Sequence, residues 1–148
     1  MHLTYKIVLG LVLLCNTVCA QTLQLEINGL RNNKGAIQLS FYTNAESFEQ
    51  EIPEMVRIFS KTDVLNGKKT ITINQLKAGT YGIALIDDEN ENSKLDFWLM
   101  IPKEGFAFSN FPFEEKKKPD FKSFSFVLTQ ETKKVEFLVS YFKPGFKN

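Results

Sequence analysis

Histidine and cysteine are nearly missing from this chain: His2, Cys15 and Cys19 are the only ones, and all three fall in the first twenty residues. Those residues have the layout of a secretory signal, with a basic start ending at Lys6, an apolar run from Ile7 to Leu14, and the small-residue exit Val18-Cys19-Ala20. No apolar run reaches the ~20 residues of a membrane helix, since Asn16 and Thr17 end the only candidate early. Cys15 and Cys19 raise the alternative of lipid attachment, but Leu14 and Val18 stand where a small residue is required. The expectation is therefore cleavage after Ala20 and export to the periplasm or beyond the cell, with residues 21–148 as a single mature domain free of cysteine and histidine. Disulfides, thiolates, imidazole-bound zinc and Ser-His-Asp or Cys-His catalysis are excluded from such a domain. An excess of charge is missing too. Removal of Lys6 leaves equal numbers of acidic and basic side chains, so no global field favours nucleic acid.

Aromatic residues are present in quantity, with Phe 14, Tyr 4 and Trp 1, and they supply the core that disulfides do not. The dominant pattern is period two, the mark of strands with one buried face. Leu23, Leu25 and Ile27 alternate with polar residues, the cluster Arg31-Asn32-Asn33-Lys34-Gly35 turns the chain, and Ile37, Leu39 and Phe41 resume the alternation, which predicts a hairpin. Asn44 to Met55 lacks a period and contains Pro53, so a long loop or short irregular helix is expected there, with Phe48 and Ile52 turned inward. Val56 to Ile58 predicts a third strand. Asn66-Gly67 is a turn signal before a fourth, in which Ile71 and Ile73 oppose Thr70, Thr72 and Asn74.

Lys77-Ala78-Gly79 turns the chain into a fifth strand, Thr80 to Ile86. A polar loop, Asp87 to Asp96, precedes the apolar segment Phe97 to Met100, and the phenylalanines from Phe106 to Phe113 read as mostly loop. Glu114 to Lys118 with Pro119 reads as a solvated turn, and Phe121 to Leu128 and Lys134 to Phe142 read as the last strands. About seven short strands without a long amphipathic helix predict an all-β fold, an antiparallel two-sheet sandwich of immunoglobulin-like or transthyretin-like type.

The densest polar cluster carries the candidate chemistry. Counting from Asp88, oxygen-bearing side chains fall at positions one, three, five and nine, as Asp88, Asn90, Asn92 and Asp96, and the Lys94 carbonyl takes position seven. This spacing lets a tight loop wrap a hard cation such as calcium. Position six is Ser93 rather than glycine and position twelve is Leu99 rather than glutamate, so the affinity expected is low. The alternative is a solvated loop whose Asp and Asn side chains bond their own backbone. A second candidate is a glycan-stacking face of Trp98, Phe106, Phe108 and Phe111, against which stands the ordinary fate of such rings, core packing.

Leu76-Lys77-Ala78-Gly79-Thr80-Tyr81-Gly82-Ile83-Ala84, Asp88-Glu89-Asn90 through Lys94-Leu95-Asp96, Ile101-Pro102-Lys103-Glu104-Gly105-Phe106 and Phe108-Ser109-Asn110, with Gly29-Leu30-Arg31 and Lys34-Gly35 before them, resemble a bacterial family catalogued as domain of unknown function 2141. The resemblance spans nearly all of residues 21–148 and implies an exported β-sandwich without an established activity. The family's usual loop reads Asp-Glu-Asn-Gly-Asn-Gly-Lys-Leu-Asp. Here Glu91 and Ser93 replace both glycines.

Three functional classes follow. The first is an exported, non-catalytic binding or structural module with a weak calcium loop. The second is a subunit of an envelope assembly that meets a protein or glycan partner through a sheet edge or the aromatic segment. The third is a carboxylate-dependent hydrolase using Asp87, Asp88 and Asp96, which would need two carboxylates facing across a cleft. Crowding of these three in one short loop opposes the last, and the reading favoured is not an enzyme.

Overall fold

Period-two burial recurs strand after strand in the computed structural model, which describes residues 21–99, 101–113, 118–129 and 132–142. The proposed signal segment, Met100, Glu114 to Lys117, Gln130, Glu131 and the last six residues lie outside it. Strand β1 (Gln21–Asn28) buries every second side chain, β4 (Lys68–Leu76) buries Ile71 and Ile73, and β10 (Lys133–Leu138) buries Val135 and Phe137. These three form one sheet in the order β10-β1-β4, with β1 parallel to β10 and antiparallel to β4.

A second sheet is built around β2 (Ala36–Tyr42) and β5 (Gly79–Asp88), which pair antiparallel from Ala36↔Asp88 to Tyr42↔Gly82. Strand β3 (Met55–Ser60) flanks β2, while β8 (Gly105–Phe108) and β9 (Phe126–Leu128) share the far edge of β5. Between the sheets lies the core, in which Leu23, Leu25, Ile27, Ile71, Ile73, Val135 and Phe137 meet Ile37, Leu39, Phe41, Ile83, Leu85 and Ala107. The architecture is an all-β sandwich, and the described residues hold ten strands rather than about seven. The three additional strands are short ones, β8 and the two-residue pair β6 (Phe97–Trp98) and β7 (Ile101–Pro102), while β9 is the end of the predicted strand Phe121 to Leu128.

The predicted first hairpin is not formed. β1 and β2 belong to different sheets, so residues 29–35 cross from one layer to the other. Alternation reveals that each strand has a buried face, and two strands facing one core from opposite sides show the same pattern as two partners in a sheet. Asn66 (φ 52) and Gly67 (φ 73) do adopt the left-handed pair that Asn-Gly favours, with Leu65 and Lys68 exchanging hydrogen bonds around them. That turn nevertheless delivers β4 to the opposite sheet from β3.

The outer face of the second sheet is covered as well, which is why β2 is buried along its whole length. Helix α1 (Ala45–Glu49), capped by the Asn44 side chain on the Ser47 N–H, brings Phe48 onto Tyr42 and Phe124. Ile52, expected inside, is 63% exposed. Phe121 to Phe124 form a short helix α2 rather than the start of a strand, so that Phe121 and Phe124 both join this aromatic layer. After β10 the chain changes sheets, since Val139 N–H donates to Asn28 while Ser140 and Phe106 exchange two backbone hydrogen bonds. This crossing sets Tyr141 beside the end of β5.

Candidate functional site

Asp87 and Asp88 are the last two residues of β5, not the start of a loop, and both are buried. Successive strand residues point to opposite faces, so the two carboxylates enter different environments. Asp87 accepts from the Lys61 ammonium on one oxygen and from the Tyr141 hydroxyl on the other, and the Lys61 and Asp87 side chains are completely buried. Lys61 also donates to Asn32 Oδ1 at 3.2 Å. Asn32 Nδ2 in turn donates to Glu89 Oε1 at 3.0 Å, and Glu89 is held by the Arg31 guanidinium, which lies over the Tyr141 ring. One polar network therefore ties the β1–β2 crossover, the end of β3, the end of β5 and the segment after β10. Burial and the bond to Asp87 push the Tyr141 hydroxyl well above the ordinary tyrosine value. The sequence pattern places Tyr141 on the alternating face of the last strand and marks neither it nor Lys61 as part of a site. The available signal was a lysine directly after an alternating strand, since a buried lysine needs a partner.

Asp88 organises the loop that follows. Its Oδ1 accepts the Asn92 N–H at 3.1 Å and its Oδ2 accepts the Ser93 N–H at 2.8 Å. Asn90 and Asn92 both direct their side-chain amides at Asp96 Oδ2, at 2.7 and 3.0 Å, and Asn92 Oδ1 accepts from the Lys94 N–H at 2.9 Å. All five predicted positions thus lie in one closed turn. Glu91 (φ 58) and Ser93 (φ 61) are in the left-handed region, so the backbone keeps the glycine conformation although the glycines are gone. Each such residue costs about 1–2 kcal/mol relative to glycine.

Glu104 is the carboxylate that sequence reading missed. It is buried, and its two oxygens accept the N–H groups of Glu89 and Asp96, each at 3.2 Å, so it joins both ends of the loop. Burial pushes the Glu104 carboxyl above the ordinary carboxylate value and the charges of Asp88 and Asp96 push the same way, against the two N–H donors. Glu89 is shifted oppositely, held below the ordinary value by its bond from Arg31. Among the described residues Glu104 meets no cation in an ion pair. No group of three or more His, Cys, Asp or Glu side chains is gathered there in metal-holding geometry, so a cation would have to draw these oxygens together.

The model of a bacterial family described as "uncharacterized protein conserved in bacteria (DUF2141)" matches residues 25–136, which include every strand of the site. The chain belongs to DUF2141. No curated protein and no solved structure shows significant similarity to it. Within this DUF2141 domain the matched region contains the loop and Glu104 together, and it ends before the crossing that places Tyr141.

The other predicted constellations are dispersed. Phe106 is buried, and Phe108 meets Phe106 and Phe111 edge-on at 71° and 83°, so these rings build a packed layer rather than a flat glycan platform. Trp98 stands apart from them on the β6–β7 ribbon, 52% exposed beside Phe97 (57%) and Leu99 (78%). Of the carboxylates considered for hydrolysis, Asp87 is engaged by Lys61 and Tyr141, and Asp88 by two backbone N–H groups.

Proposed function

We propose that this DUF2141 domain is an exported, non-catalytic binding or structural module whose loop from Asp88 to Asp96 takes up calcium weakly. The observation that carries the calcium reading is Glu104, a buried carboxylate facing Asp88 and Asp96 without a cationic partner among the described residues. It stands in for the glutamate missing at position twelve. Asp88, Asp96 and Glu104 would give the charge, and Asn90, Asn92 and the Lys94 carbonyl neutral oxygens, once the two amides that now donate to Asp96 turn their oxygens inward. Export is supported by the three-part leader ending at Ala20. Among the described residues no helix is long and apolar enough to cross a membrane.

Calorimetric titration and thermal unfolding of residues 21–148 test this reading. A dissociation constant of about 10⁻⁴–10⁻³ M is expected, and at ten times that concentration a stabilisation of about 1.4 kcal/mol. Asp88→Asn and Glu104→Gln should abolish both. Without metal, Glu104 has a folded pKa above its unfolded one, so its contribution is present at low pH and lost as pH rises through the raised value. Glu89 acts with the other sign: its contribution is present above the ordinary carboxylate pKa and lost as pH falls through the depressed value. Calcium should remove the Glu104 loss and leave the Glu89 loss in place. Absence of heat and of a melting shift at millimolar calcium ends the calcium reading.

A second reading, an envelope assembly subunit, is favoured by the ribbon, because Phe97, Trp98 and Leu99 leave apolar surface uncovered at neighbouring positions. Native mass measurement of envelope extracts should then show a complex that the variant Trp98→Asp loses while its melting temperature is unchanged.

A further inference from the structure

The Lys61 network holds more than an ion pair needs. The Lys61 side chain is entirely shut off from water, and its Nζ touches two groups, the Asp87 carboxylate and, at 3.2 Å, the side-chain carbonyl oxygen of Asn32. That same oxygen accepts the backbone N–H of Lys34 at 2.9 Å, and the other end of the amide, Nδ2, is held by Glu89 Oε1 at 3.0 Å. The Asn32 amide is thus fixed at both its oxygen and its nitrogen, with an amine against it and a carboxylate beside the amine.

These are the parts of an acyl transfer: a nucleophile, a proton carrier, a carbonyl with a donor on its oxygen, and a leaving nitrogen with an acceptor. From this geometry we propose that Lys61 and Asn32 form an intramolecular isopeptide bond, with Asp87 as the catalytic residue. The Lys61 ammonium gives one proton to the Asp87 carboxylate. Its freed electron pair forms a bond to Cγ of Asn32, and negative charge developing on Oδ1 falls on the Lys34 N–H. A proton from the attacking nitrogen passes through Asp87 to Nδ2, the Cγ–Nδ2 bond breaks, and ammonia leaves. Asp87 finishes with one proton, held between the new amide and the Tyr141 hydroxyl. No oxidant, metal or cofactor enters the balance.

Position gives the reaction its force. Holding reactants in contact replaces a bimolecular encounter by a unimolecular step, which makes amide formation between unactivated groups accessible. The bond would join the crossover between β1 and β2 to the residue after β3, just beyond Ala36↔Ser60, the last pair of the β2–β3 ladder. A domain without cysteine would thereby gain a covalent staple that no reductant opens.

Peptide mapping of the full chain, purified after expression and left unreduced, tests the proposal. Intact mass alone is insufficient, because a processed amino-terminal Gln21 can also lose ammonia on cyclising. Trypsin should fail to cut after Lys61 and should release Asn32–Lys34 joined to Ile58–Lys68, lighter than the two peptides together by one ammonia. Asn32→Ala retains the Lys61–Asp87 pair and should restore cleavage after Lys61. Recovery of free Asn32–Lys34 with complete cleavage after Lys61 in the unmodified chain overturns the proposal. A Lys61 peptide joined instead to the Asp87 peptide, lighter by one water, overturns the assignment to Asn32.

Discussion

Asp87→Ala is expected to destabilise the domain by about 3–5 kcal/mol, because it strands the Lys61 ammonium in a site with no access to water. The Tyr141 hydroxyl loses its acceptor in the same change. The penalty reflects removal of one partner rather than the worth of the pair: two charges brought out of water nearly cancel their own attraction. The double variant Lys61→Met with Asp87→Leu is therefore expected to fall within about 1–2 kcal/mol of Asn32→Ala, which keeps both charges without the covalent bond, since it removes both charges and keeps the volume. Urea unfolding followed by circular dichroism, run on the parent, Asn32→Ala, Asp87→Ala and the double variant, measures the contrast. A double variant as unstable as Asp87→Ala would mean that volume and shape at this site, not the stranded charge, set the loss.

What the sequence made visible and what it hid divide along physical lines. One-sided burial writes itself into a strand with period two, and so β1, β4, β5 and β10 were legible from Leu23, Ile71, Ile83 and Val135 and their neighbours. Sheet membership leaves no such trace, and the first hairpin failed for that reason. Phe121 and Phe124 read as strand residues, although their three-residue spacing suits one face of a helical turn, and no local pattern announces the aromatic layer that they form over the second sheet. The closed turn from Asp88 to Asp96 is legible in its run of Asp and Asn side chains, which bond the turn's own backbone and one another. Glu104 was passed over because it stands eight residues beyond Asp96, across a ribbon whose pairing no local pattern announces. Asp87 looked like loop polarity because a charged residue ending a strand is ordinarily solvated, and only the distant Lys61 and Tyr141 make it a core residue.

Gly35→Ala is expected to cost about 2–5 kcal/mol and to remove the calcium response. Gly35 has φ +72, where a side chain brings about 1–2 kcal/mol of strain, and its added Cβ would lie 2.1 Å from the Asp88 carbonyl oxygen and 2.7 Å from Glu89 Cα. Both are backbone atoms, so relief must come from displacing the end of β5, an overpacking of about 1–3 kcal/mol. The closeness follows from register, since Ala36 pairs with Asp88 and Gly35 is the next residue along. Displacing β5 here moves Asp88, whose two oxygens hold the Asn92 and Ser93 N–H groups that shape the loop. Gly67→Ala is the matched control: it too has a positive φ, +73, but its Cβ would meet the Leu30 carbonyl oxygen at 2.8 Å, away from the loop. It should lose stability and keep its melting shift with calcium. Thermal unfolding of both variants with and without millimolar calcium separates the effects, and a calcium shift surviving in Gly35→Ala would show that the ion does not depend on where β5 ends.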